Sequence, residues 1–525
     1  MEKTTAAAVA GAAAPFMTLP ERIAGNARVD ATGCAIVIDS DVFTWAELDR
    51  QMNLIAARLL AAGIAAGDRV ATIGPNSPEY LLLFLGALRA GACLVPLPTM
   101  ASADSLARMI DDAQPKAIFL AAAQRDAIGR VRDRLSWIDA TGFVGLDFDA
   151  RGWIGWDEWL ADTPDLPVAV PIVPSLPFNI MYSSGTTGEP KGIVHSHQMR
   201  NEHILRMARF GIGPGSVTLI STPLYSNTTH ACLLGSLGLG GKTIIMRKFD
   251  ALEFLRIAER ERVSHAMLVP VQYQRILTHP DFDRFDLSAF KWKLCTSAPL
   301  SPLIKRDAVT RWPGKMLEIY GHSEGGANCT LLIDEFPDKL HTVGRPIAGC
   351  EVRMIDENGK EVPRGEVGEI VGRQPAMMTG YFKQPDKTAE ISWHDESGNL
   401  YYRSGDVGYF DEDGFLVLLD RTKDMIVSGG FNIYAVDIER VLEQHEAVAE
   451  VTVIGVPSER WGETPLAFVV RKPGAAIDAQ ALREYANAQL GKLQRLSNVE
   501  FVDSLPRSEV GKILKRELRK AYWKS

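Results

Sequence analysis

Short apolar runs and amphipathic segments alternate through the first part of the chain, and this alternation restricts the fold more than any other feature. Ala35–Ile38, Arg69–Ile73 and Ala92–Leu97 have the length and composition of buried strands. Between them, Thr44-x-x-Glu47 is a capping box that opens one helix, and Glu79–Leu88 predicts another. Strands that alternate with helices form parallel sheets covered by helices, so we predict an α/β fold.

After about Gly349 the pattern changes to that of an antiparallel sheet. Asp356-Glu-Asn-Gly359 and Asp411-Glu-Asp-Gly414 each stand between apolar segments and are typical of hairpin turns. From about Met425 onward, the sequence resembles a small α+β module in its alternation of strands and helices. We therefore predict a large N-terminal domain at residues 1–422 and a small C-terminal domain at residues 423–525.

Composition and charge exclude several functions. The chain of 525 residues has a net charge of -8, which does not suit nucleic acid, because phosphates need a basic partner. Its six cysteines include no pair at CxxC spacing, which argues against a zinc site and favours reduced thiols. The Ala-rich start lacks the apolar core of a secretory signal, and the most apolar stretch, Tyr80–Leu97, is interrupted by Arg89 and Gly91. We expect a cytoplasmic protein without a transmembrane segment.

The segment Asn179–Gly192 carries most of the functional argument. An apolar strand runs into a loop of hydroxyls and glycines: Ser183, Ser184, Gly185, Thr186, Thr187 and Gly188, followed by Pro190 and Lys191. Glycines let backbone N–H groups approach a polyanion, and the hydroxyls and the lysine add donors and charge, so the loop is suited to phosphate. A P-loop NTPase requires G-x-x-x-x-G-K-S/T. Two residues separate Gly188 from Lys191, so the spacing excludes that motif.

The stretch Tyr182–Gly192 resembles the signature loop of the adenylate-forming superfamily, which includes acyl-CoA synthetases, peptide-synthetase adenylation domains and luciferases. Further motifs of the superfamily follow in its order: Tyr320–Glu324, Tyr402–Asp406, Asp420–Asp424 with Ser428–Asn432, and Pro506–Lys512. The resemblance implies a large domain that adds a distorted antiparallel barrel to its parallel-rich sheets, and a small mobile domain. It also implies two half-reactions, in which a carboxylate attacks the α-phosphate of ATP and the CoA thiol then attacks the acyl-adenylate.

The resemblance implies a role for each motif residue. Lys512 would neutralise charge at the carboxylate and the α-phosphate, and Lys191 would assist at the phosphates. Glu324 would bind Mg²⁺, which takes one or two carboxylates together with phosphate oxygens. Asp406 would accept hydrogen bonds from both ribose hydroxyls. The other residues implied at the nucleotide are Tyr320, which would stack on adenine, Gly321, Ser323, Arg421 and the turn of Ser297, Ala298 and Pro299.

A second group of residues is implied in domain movement and CoA binding. Lys423 matches the hinge position, where few backbone torsions absorb the rotation of the small domain. Gly429, Gly430 and Phe431 match the segment beside the pantetheine tunnel, where a side chain at Gly430 would block the arm. The tail at residues 507–524 has seven Lys or Arg against two Glu. It is either a solvated helix face or a contact for the phosphates of CoA.

The acyl pocket is implied at Tyr225, His230, Ala298, Gly321 and Ala327. Gly321 stands where acetate-specific relatives have Trp, so we expect room for a larger acid. Adenylation domains that take amino acids place an Asp early in this region, and Tyr225–His230 contains none, which disfavours an amino acid.

These residues together predict an ATP-dependent acid:CoA ligase that uses Mg²⁺ and forms acyl-CoA through an acyl-adenylate. The expected substrate is a medium-chain fatty, alicyclic or aromatic carboxylic acid. The expected partners are that acid, ATP, CoA and a second copy of the chain in a homodimer. Two alternatives stay open: an acyl-AMP ligase that loads the pantetheine arm of a carrier protein, and a nucleotide-binding protein without ligase activity.

Overall fold

A computed structural model describes residues 15–183, 190–421, 424–428, 431–492, 494–508 and 511–523, with the side chain of Ser183 excepted. The helices are α1 (Leu19–Val29), α2 (Trp45–Ala61), α3 (Pro78–Arg89), α4 (Ala103–Ala113), α5 (Arg125–Gly129), α6 (Trp156–Leu160), α7 (His197–Met207), α8 (Asn227–Leu239), α9 (Ala251–Arg260), α10 (Pro270–Leu277), α11 (Pro302–Arg311), α12 (Pro385–Ile391), α13 (Ala435–Glu443), α14 (Ala479–Gln489) and α15 (Lys515–Arg519).

The strands form four sheets. They are β1 (Cys34–Ile38), β2 (Asp41–Thr44), β3 (Arg69–Ile73), β4 (Cys93–Leu97), β5 (Ala117–Leu120), β6 (Phe143–Gly145), β7 (Ile154–Gly155), β8 (Pro177–Ser183), β9 (Lys191–Ser196), β10 (Val217–Ile220), β11 (Lys242–Ile245), β12 (His265–Leu268), β13 (Trp292–Cys295), β14 (Lys315–His322), β15 (Gly325–Leu332), β16 (Arg345–Pro346), β17 (Glu351–Ile355), β18 (Gly368–Arg373), β19 (Gly380–Tyr381), β20 (Ser392–His394), β21 (Leu400–Phe410), β22 (Leu416–Arg421), β23 (Ile426–Ser428), β24 (Phe431–Ile433), β25 (Val448–Ser458), β26 (Gly462–Arg471) and β27 (Asn498–Phe501).

Two large sheets are built mainly from parallel strands, as the alternation of strands and helices predicts. The first has the order β19-β9-β8-β4-β3-β5-β6-β7 and is parallel from β8 to β7. The second has the order β16-β15-β14-β13-β12-β10-β11-β1-β2 and is parallel from β14 to β1. The predicted strand Arg69–Ile73 coincides with β3, and the predicted capping box of Thr44 and Glu47 opens α2. The predicted α/β fold class is therefore confirmed.

One continuous apolar core contains residues of both large sheets and of the helices α2, α3 and α8. Almost every residue of α3 is buried, from Tyr80 to Arg89, so this helix is apolar around its whole circumference. Each large aliphatic side chain buried in this way contributes about 1.5–3 kcal/mol. The core thus fixes the two sheets relative to each other and, with them, the loops at their edges.

The predicted change to antiparallel structure is also confirmed. Strands β17, β18, β21 and β20 form an antiparallel sheet, and β22 pairs with β21. The turn between β21 and β22 is the predicted one, with Gly414 at φ +82° and Asp411 accepting a hydrogen bond from the amide of Phe415. This sheet lies close against β15, because a Cβ on Gly372 would come within 2.0 Å of the backbone nitrogen of Ala327.

The C-terminal part of the chain has its own sheet and its own core. The strand order is β24-β23-β26-β25, with β27 parallel to β26, and α13 and α14 contribute to the apolar cluster. This is the predicted α+β module. The predicted boundary at 422/423 falls on residues outside the described ones and stays a prediction. Across the described ranges, no helix combines the length and apolar composition needed to cross a membrane.

Candidate active site

Asp406 is the centre of a polar cluster that joins three strands. Its Oδ2 atom accepts hydrogen bonds from the hydroxyl of Tyr320 at 2.9 Å and from Nε2 of His322 at 2.8 Å. Its Oδ1 atom accepts from Nε of Arg421 at 2.8 Å. Tyr320 and His322 lie on β14, Asp406 on β21 and Arg421 on β22. The pairing of β21 with β22 aligns Asp406 with Arg421, and the close packing of their sheet against β15, the neighbour of β14, brings the other two residues to them. We call these four residues the Asp406 cluster.

The charge of Asp406 is set by its neighbours. Burial alone would raise the pKa of this carboxyl group, but the charges and hydrogen bonds of His322 and Arg421 hold its pKa well below the usual range. Asp406 therefore remains an anion at neutral pH. Its side chain is 13% exposed, so a ligand can still reach it. Nδ1 of His322 is buried and has no hydrogen-bond partner among the described residues, which leaves it available to a bound group.

Glu324 lies in the turn between β14 and β15. Gly325 follows it at φ +83°, and a Cβ there would come within 2.5 Å of the carbonyl oxygen of Ala376, so this turn requires glycine. Oε1 of Glu324 accepts a hydrogen bond from the hydroxyl of Tyr381 at 2.8 Å. The ammonium group of Lys191 lies 5.3 Å from the centre of the Tyr381 ring. Through this tyrosine the structure brings together Glu324, which the sequence assigns to Mg²⁺, and Lys191, which it assigns to the phosphates.

Lys512 reaches this region from the C-terminal part of the chain. It lies in a hairpin in which Ser508 and Lys512 exchange hydrogen bonds and Arg507 pairs with Ile513. Gly511 packs against the start of α10, because a Cβ there would come within 2.6 Å of Val271.

The electrostatic surroundings of Lys512 connect the two parts of the chain. Its pKa is lowered, mainly by burial and by the charge of Arg421, and the carboxylates of Asp406, Asp424 and Glu324 oppose that shift. The side chain nonetheless keeps exposed surface. A lysine with this combination of access and mixed charges can contact an anion between the Asp406 cluster and Glu324.

The turn after β13 follows the strand that is paired with β14 in the second large sheet. Ser297 has φ +83°, which is unusual for a residue with a side chain, and its hydroxyl forms a hydrogen bond with Thr228 at the start of α8. Ala298 is half-buried and Pro299 is exposed. Thr228 was not predicted, although it stands inside the Tyr225–His230 segment.

The five residues predicted to line the acyl pocket do not all have accessible surface. His230 is 1% exposed, packs edge-on against the ring of Phe84, and has Nε2 3.0 Å from the carbonyl oxygen of Leu224. Ala327 is also 1% exposed, because the antiparallel sheet covers it. A position in a motif does not determine which side of a strand or helix faces the ligand. Tyr225, Ala298 and Gly321 keep surface that a substrate can contact.

Several predicted residues lie outside the described ones. These are Ser184, Gly185, Thr186, Thr187 and Gly188 of the loop, the hinge residue Lys423, and Gly429 and Gly430 of the pantetheine segment. The backbone of Ser183 ends β8 and pairs with Lys191, which begins β9, so the loop connects two antiparallel strands. Phe431 begins β24 and is 58% exposed.

Besides Thr228, sequence reasoning missed two residues of the site. His322 stands inside the Tyr320–Glu324 motif. Its ring can hydrogen-bond to a carboxylate such as Asp406, and this property could have marked it as a site residue. Tyr381 lies far from any motif, and only the pairing of β19 with β9 brings it to Glu324. A long-range contact of this kind has no local sequence pattern.

The residues present suit Mg²⁺ only with help from a substrate. Within the described residues, no group of three or more His, Cys, Asp or Glu could enclose a metal ion. Glu324 offers one carboxylate, whose Oε2 atom makes no hydrogen bond to the described residues. Mg²⁺ prefers this arrangement, one or two carboxylates together with phosphate oxygens and water.

The large α/β part of the chain, the small C-terminal module and this polar cluster are the features expected of an enzyme that binds a nucleotide. Comparison with known families agrees. The model of the AMP-binding enzyme family matches residues 25–382, and that of the AMP-binding enzyme C-terminal domain matches residues 437–512. The chain therefore belongs to the AMP-binding enzymes, the adenylate-forming superfamily, and is a ligase.

Individual relatives cover almost the whole chain. A fatty acid–[acyl-carrier-protein] ligase, ScoC of Streptomyces coeruleorubidus, is 32% identical over 97% of this chain and 97% of its own. A feruloyl-CoA synthase of an Amycolatopsis species is 34% identical over 95% of this chain and 97% of its own. The structure of ATP-bound MatB from Rhodopseudomonas palustris superimposes with a TM-score of 0.84 at 30% identity, covering 96% of this chain and 99% of that one.

Proposed function

We propose that this protein is an ATP-dependent acid:CoA ligase that forms acyl-CoA through an acyl-adenylate and releases AMP and pyrophosphate. The observation that carries the proposal is the packing of the Lys512 hairpin of the small domain against the start of α10 on the large one, where the charges of Asp406 and Glu324 act on Lys512. A cation delivered to that place can stabilise charge on a reacting carboxylate and on a phosphate at once.

The first half-reaction forms a bond between a carboxylate oxygen of the acid and the α-phosphorus of ATP, and breaks the bond from that phosphorus to the oxygen of pyrophosphate. Asp406 would hold the ribose and Lys191 would bind the phosphates, while Lys512 neutralises the negative charge that accumulates. Glu324 would hold Mg²⁺, which supplies charge neutralisation at the phosphates when it is bound. In the second half-reaction, the thiol sulfur forms a bond to the acyl carbon, the bond from that carbon to the phosphate oxygen of AMP breaks, AMP leaves and the thiol proton passes to solvent.

A basic pocket on the small domain supports CoA as the acceptor. Its volume is about 330 Å³, and it is lined by Met425, Glu463, Arg516, Arg519, Lys520 and Trp523. Cations and an aromatic face are the groups that bind a phosphorylated nucleotide. The indole N–H of Trp523 donates to the carbonyl oxygen of Gly455, and the side chain is 44% exposed, so one face of the ring can be reached.

A carrier protein is the second candidate acceptor. The similarity to ScoC, a relative named for loading an acyl carrier protein, favours it. Both acceptors end in the same pantetheine thiol, but only CoA has a 3′-phosphorylated nucleotide. Arg516→Glu should therefore raise the KM for CoA and leave the KM for pantetheine, or for a carrier protein, unchanged. Equal effects on CoA and pantetheine would argue against a nucleotide in the pocket.

For the acid, we propose a substrate larger than acetate and mostly apolar. Gly321 is exposed, and a Cβ there would touch neighbours only at ordinary contact distances of 3.4 Å and beyond, so the residue leaves space at the site. Relatives named for ferulate and for fatty acids point to the same range of acids. A homodimer and a cytoplasmic location stay predictions, the first of which sedimentation can measure.

A pyrophosphate-release assay tests the proposal. The panel should contain octanoate, cyclohexanecarboxylate, benzoate, ferulate, malonate and acetate, each with and without CoA. We expect release with one of the first four acids, and multiple turnovers only when CoA is present. Multiple turnovers only with a phosphopantetheinylated carrier protein would favour the second candidate. Absence of release with every acid would contradict ligase activity on this panel.

A further inference from the structure

Arg200, on α7, is one of the largest fully buried side chains of the protein. All five of its N–H donors are used. Nε and Nη2 donate to Oδ1 of Asn179 at 3.1 and 3.0 Å. Nη2 also donates to Nδ1 of His195 at 2.7 Å, and Nη1 donates to Oδ1 of Asn227 at 2.9 Å and to Nδ1 of His203 at 3.4 Å. We call Arg200 and these four partners the Arg200 cluster.

Every partner in the Arg200 cluster is neutral. Among the described residues no carboxylate forms an ion pair with the guanidinium, whose remaining neighbour is the ring of Phe178, 5.8 Å away. Burial lowers the pKa of Arg200 to about 9, so the group still carries its charge at neutral pH. A buried charge without a counter-ion is unfavourable for folding, and an apolar side chain of similar size would fill the space without that cost. The guanidinium therefore calls for a functional explanation.

One arm of the cluster runs through His195, which is fully buried. Arginine can only donate, so Nδ1 of His195 must accept from Arg200, and the ring proton must lie on Nε2. Nε2 then donates to the carbonyl oxygen of Ser323 at 2.7 Å. Arg200, with the amide nitrogen of its partner Asn179 at 3.3 Å from the same Nδ1 atom, thereby determines the tautomer of His195 and the direction of its hydrogen bond.

The other arm runs through Asn227. Because Oδ1 of this amide accepts from Arg200, its Nδ2 group must point the other way, and it donates to the hydroxyl of Ser323 at 3.3 Å. The two arms therefore hold the carbonyl oxygen and the hydroxyl of the same residue. Ser323 directly precedes Glu324, whose carbonyl oxygen accepts from the amide of Met378 at 2.9 Å.

We propose that Arg200 is a positioning residue for adenylation: through His195 and Asn227 it holds Ser323, and with it the Glu324 turn, in the geometry that receives the phosphates of ATP. This inference rests on the proposed function. The rigid fork of arginine matters here, because one planar group must reach two partners on different elements. The guanidinium itself, with all its donors used, would not contact the substrate.

The main test compares two buried arginines. Arg89 on α3 is 6% exposed and donates to Asp49 on α2 and to the carbonyl oxygen of Pro20 on α1, both away from the site, so Arg89→Met is the matched control. We expect Arg200→Met to lower kcat/KM for Mg-ATP in carboxylate-dependent pyrophosphate exchange about 10- to 100-fold, the scale seen when a residue that orients a ligand-binding group is removed. Arg89→Met should lower thermal stability about as much as Arg200→Met does. It should leave kcat/KM within about 3-fold of the value for the unmodified protein, because Arg89 shares no partner with the site and distant sites act independently. Equal kinetic losses in the two variants would overturn the proposal.

Two further variants separate geometry from charge and from folding. Arg200→Lys keeps the charge and loses the fork, so we expect most of the loss to persist, and full activity in this variant would overturn the positioning role. Asn227→Ala cuts one arm and leaves the arginine in place, so it remains informative even if Arg200→Met does not fold. We expect a decrease of about 3- to 10-fold, as for one neutral hydrogen bond, and an unchanged kcat/KM would count against the proposal.

The pH profile provides a readout that a purely structural role would not move. His195 faces Arg200, His203 and His230, and its pKa is held well below the usual value, first by burial and then by Arg200. In Arg200→Met the imidazole loses its cationic neighbour, so the acid limb of kcat/KM should shift to higher pH. An acid limb at the same pH in both proteins would contradict the proposed path of hydrogen bonds from Arg200 through His195 to Ser323. If the unmodified protein shows no carboxylate-dependent exchange, the proposed function fails, whereas normal exchange in Arg200→Met defeats only this inference.

Discussion

The Asp406 cluster and the Arg200 cluster lie on either side of the same β14–β15 turn, yet they are built in different ways. Asp406 is paired with the cation Arg421 and keeps 13% of its side chain exposed. Arg200 has only neutral partners and is 1% exposed. Charges that are paired and accessible suit the binding of a ligand, whereas a satisfied and inaccessible cation suits the positioning of other groups.

Another buried cation sharpens this contrast. Lys305, on α11, lies 2.5 Å from the carboxylate of Glu318, both side chains are 3% exposed, and the ammonium also donates to the carbonyl oxygens of Leu340 and Thr342. This is the usual way to bury a charge, with a counter-ion and backbone acceptors. Arg200 departs from that arrangement, and the departure occurs next to the site.

The largest effect should come from the cation that approaches the Asp406 cluster. We expect Lys512→Ala to slow adenylation about 10²- to 10³-fold, the scale for removing one electrostatic contact to a transition state. Carboxylate-dependent pyrophosphate exchange measures it. Lys387→Ala is the control, since the Lys387 side chain is 44% exposed and pairs with Glu390 on the same helix. Normal exchange in Lys512→Ala would remove this lysine from the reaction.

The next effect concerns the anion of the cluster. Asp406→Asn keeps the shape of the side chain but removes the charge that pairs with Arg421. We expect kcat/KM for ATP to fall about 10- to 100-fold, as for a hydrogen bond to a charged group. Exchange kinetics at varied ATP concentration give the value. If Asp406→Asn lowered thermal stability but left kcat/KM for ATP unchanged, the role of Asp406 would be structural.

A pH titration of stability should separate the two clusters. The pKa values of His195, His203 and His230 are lowered, first by burial and then by Arg200, so the folded protein disfavours their protonation. A depressed histidine pKa makes stability fall as pH drops below the unfolded value of about 6.5, by up to about 1.4 kcal/mol per pH unit for each group. The depressed pKa of Asp406 acts only below about pH 4, where its stabilising charge begins to be lost.

Thermal unfolding between pH 8 and pH 3 measures both contributions. In Arg200→Met the histidine pKa values should rise, because the histidines lose their cationic neighbour, so the loss of stability on acidification should end at a higher pH. Asp406→Asn should change the profile only below pH 4. Identical profiles for the unmodified protein and Arg200→Met below pH 6.5 would contradict the assigned cause.

The smallest effect should come from the tyrosine that connects Lys191 with Glu324. Tyr381→Phe removes one hydrogen bond to the carboxylate at 2.8 Å and keeps the ring beneath Lys191. We expect kcat/KM for Mg-ATP to fall about 3- to 10-fold. Titration with Mg²⁺ shows whether the loss lies in metal affinity. Tyr485→Phe, on α14 of the small domain, serves as the comparison.

Local patterns predicted a large part of the fold. The capping box of Thr44 and Glu47, the strand Arg69–Ile73 and the turn at Gly414 all depend on residues a few positions apart, where propensity and spacing act directly. Burial of His230 and Ala327 could not be predicted in this way. Their exposure depends on Phe84 and on β18, which are distant in the sequence.

The sequence by itself determined the family, because its motifs have a specific order and spacing, and it predicted the chemistry of the site at Glu324, Asp406 and Lys512. Tertiary structure alone decided which groups meet. The pairing of β19 with β9 carries Tyr381 to Glu324, and the packing of α7 beside β8 surrounds Arg200 with Asn179, His195 and Asn227. Hydrogen bonds act over about 3 Å, so residues far apart in sequence acquire a joint role only once the folded core has brought them within that distance.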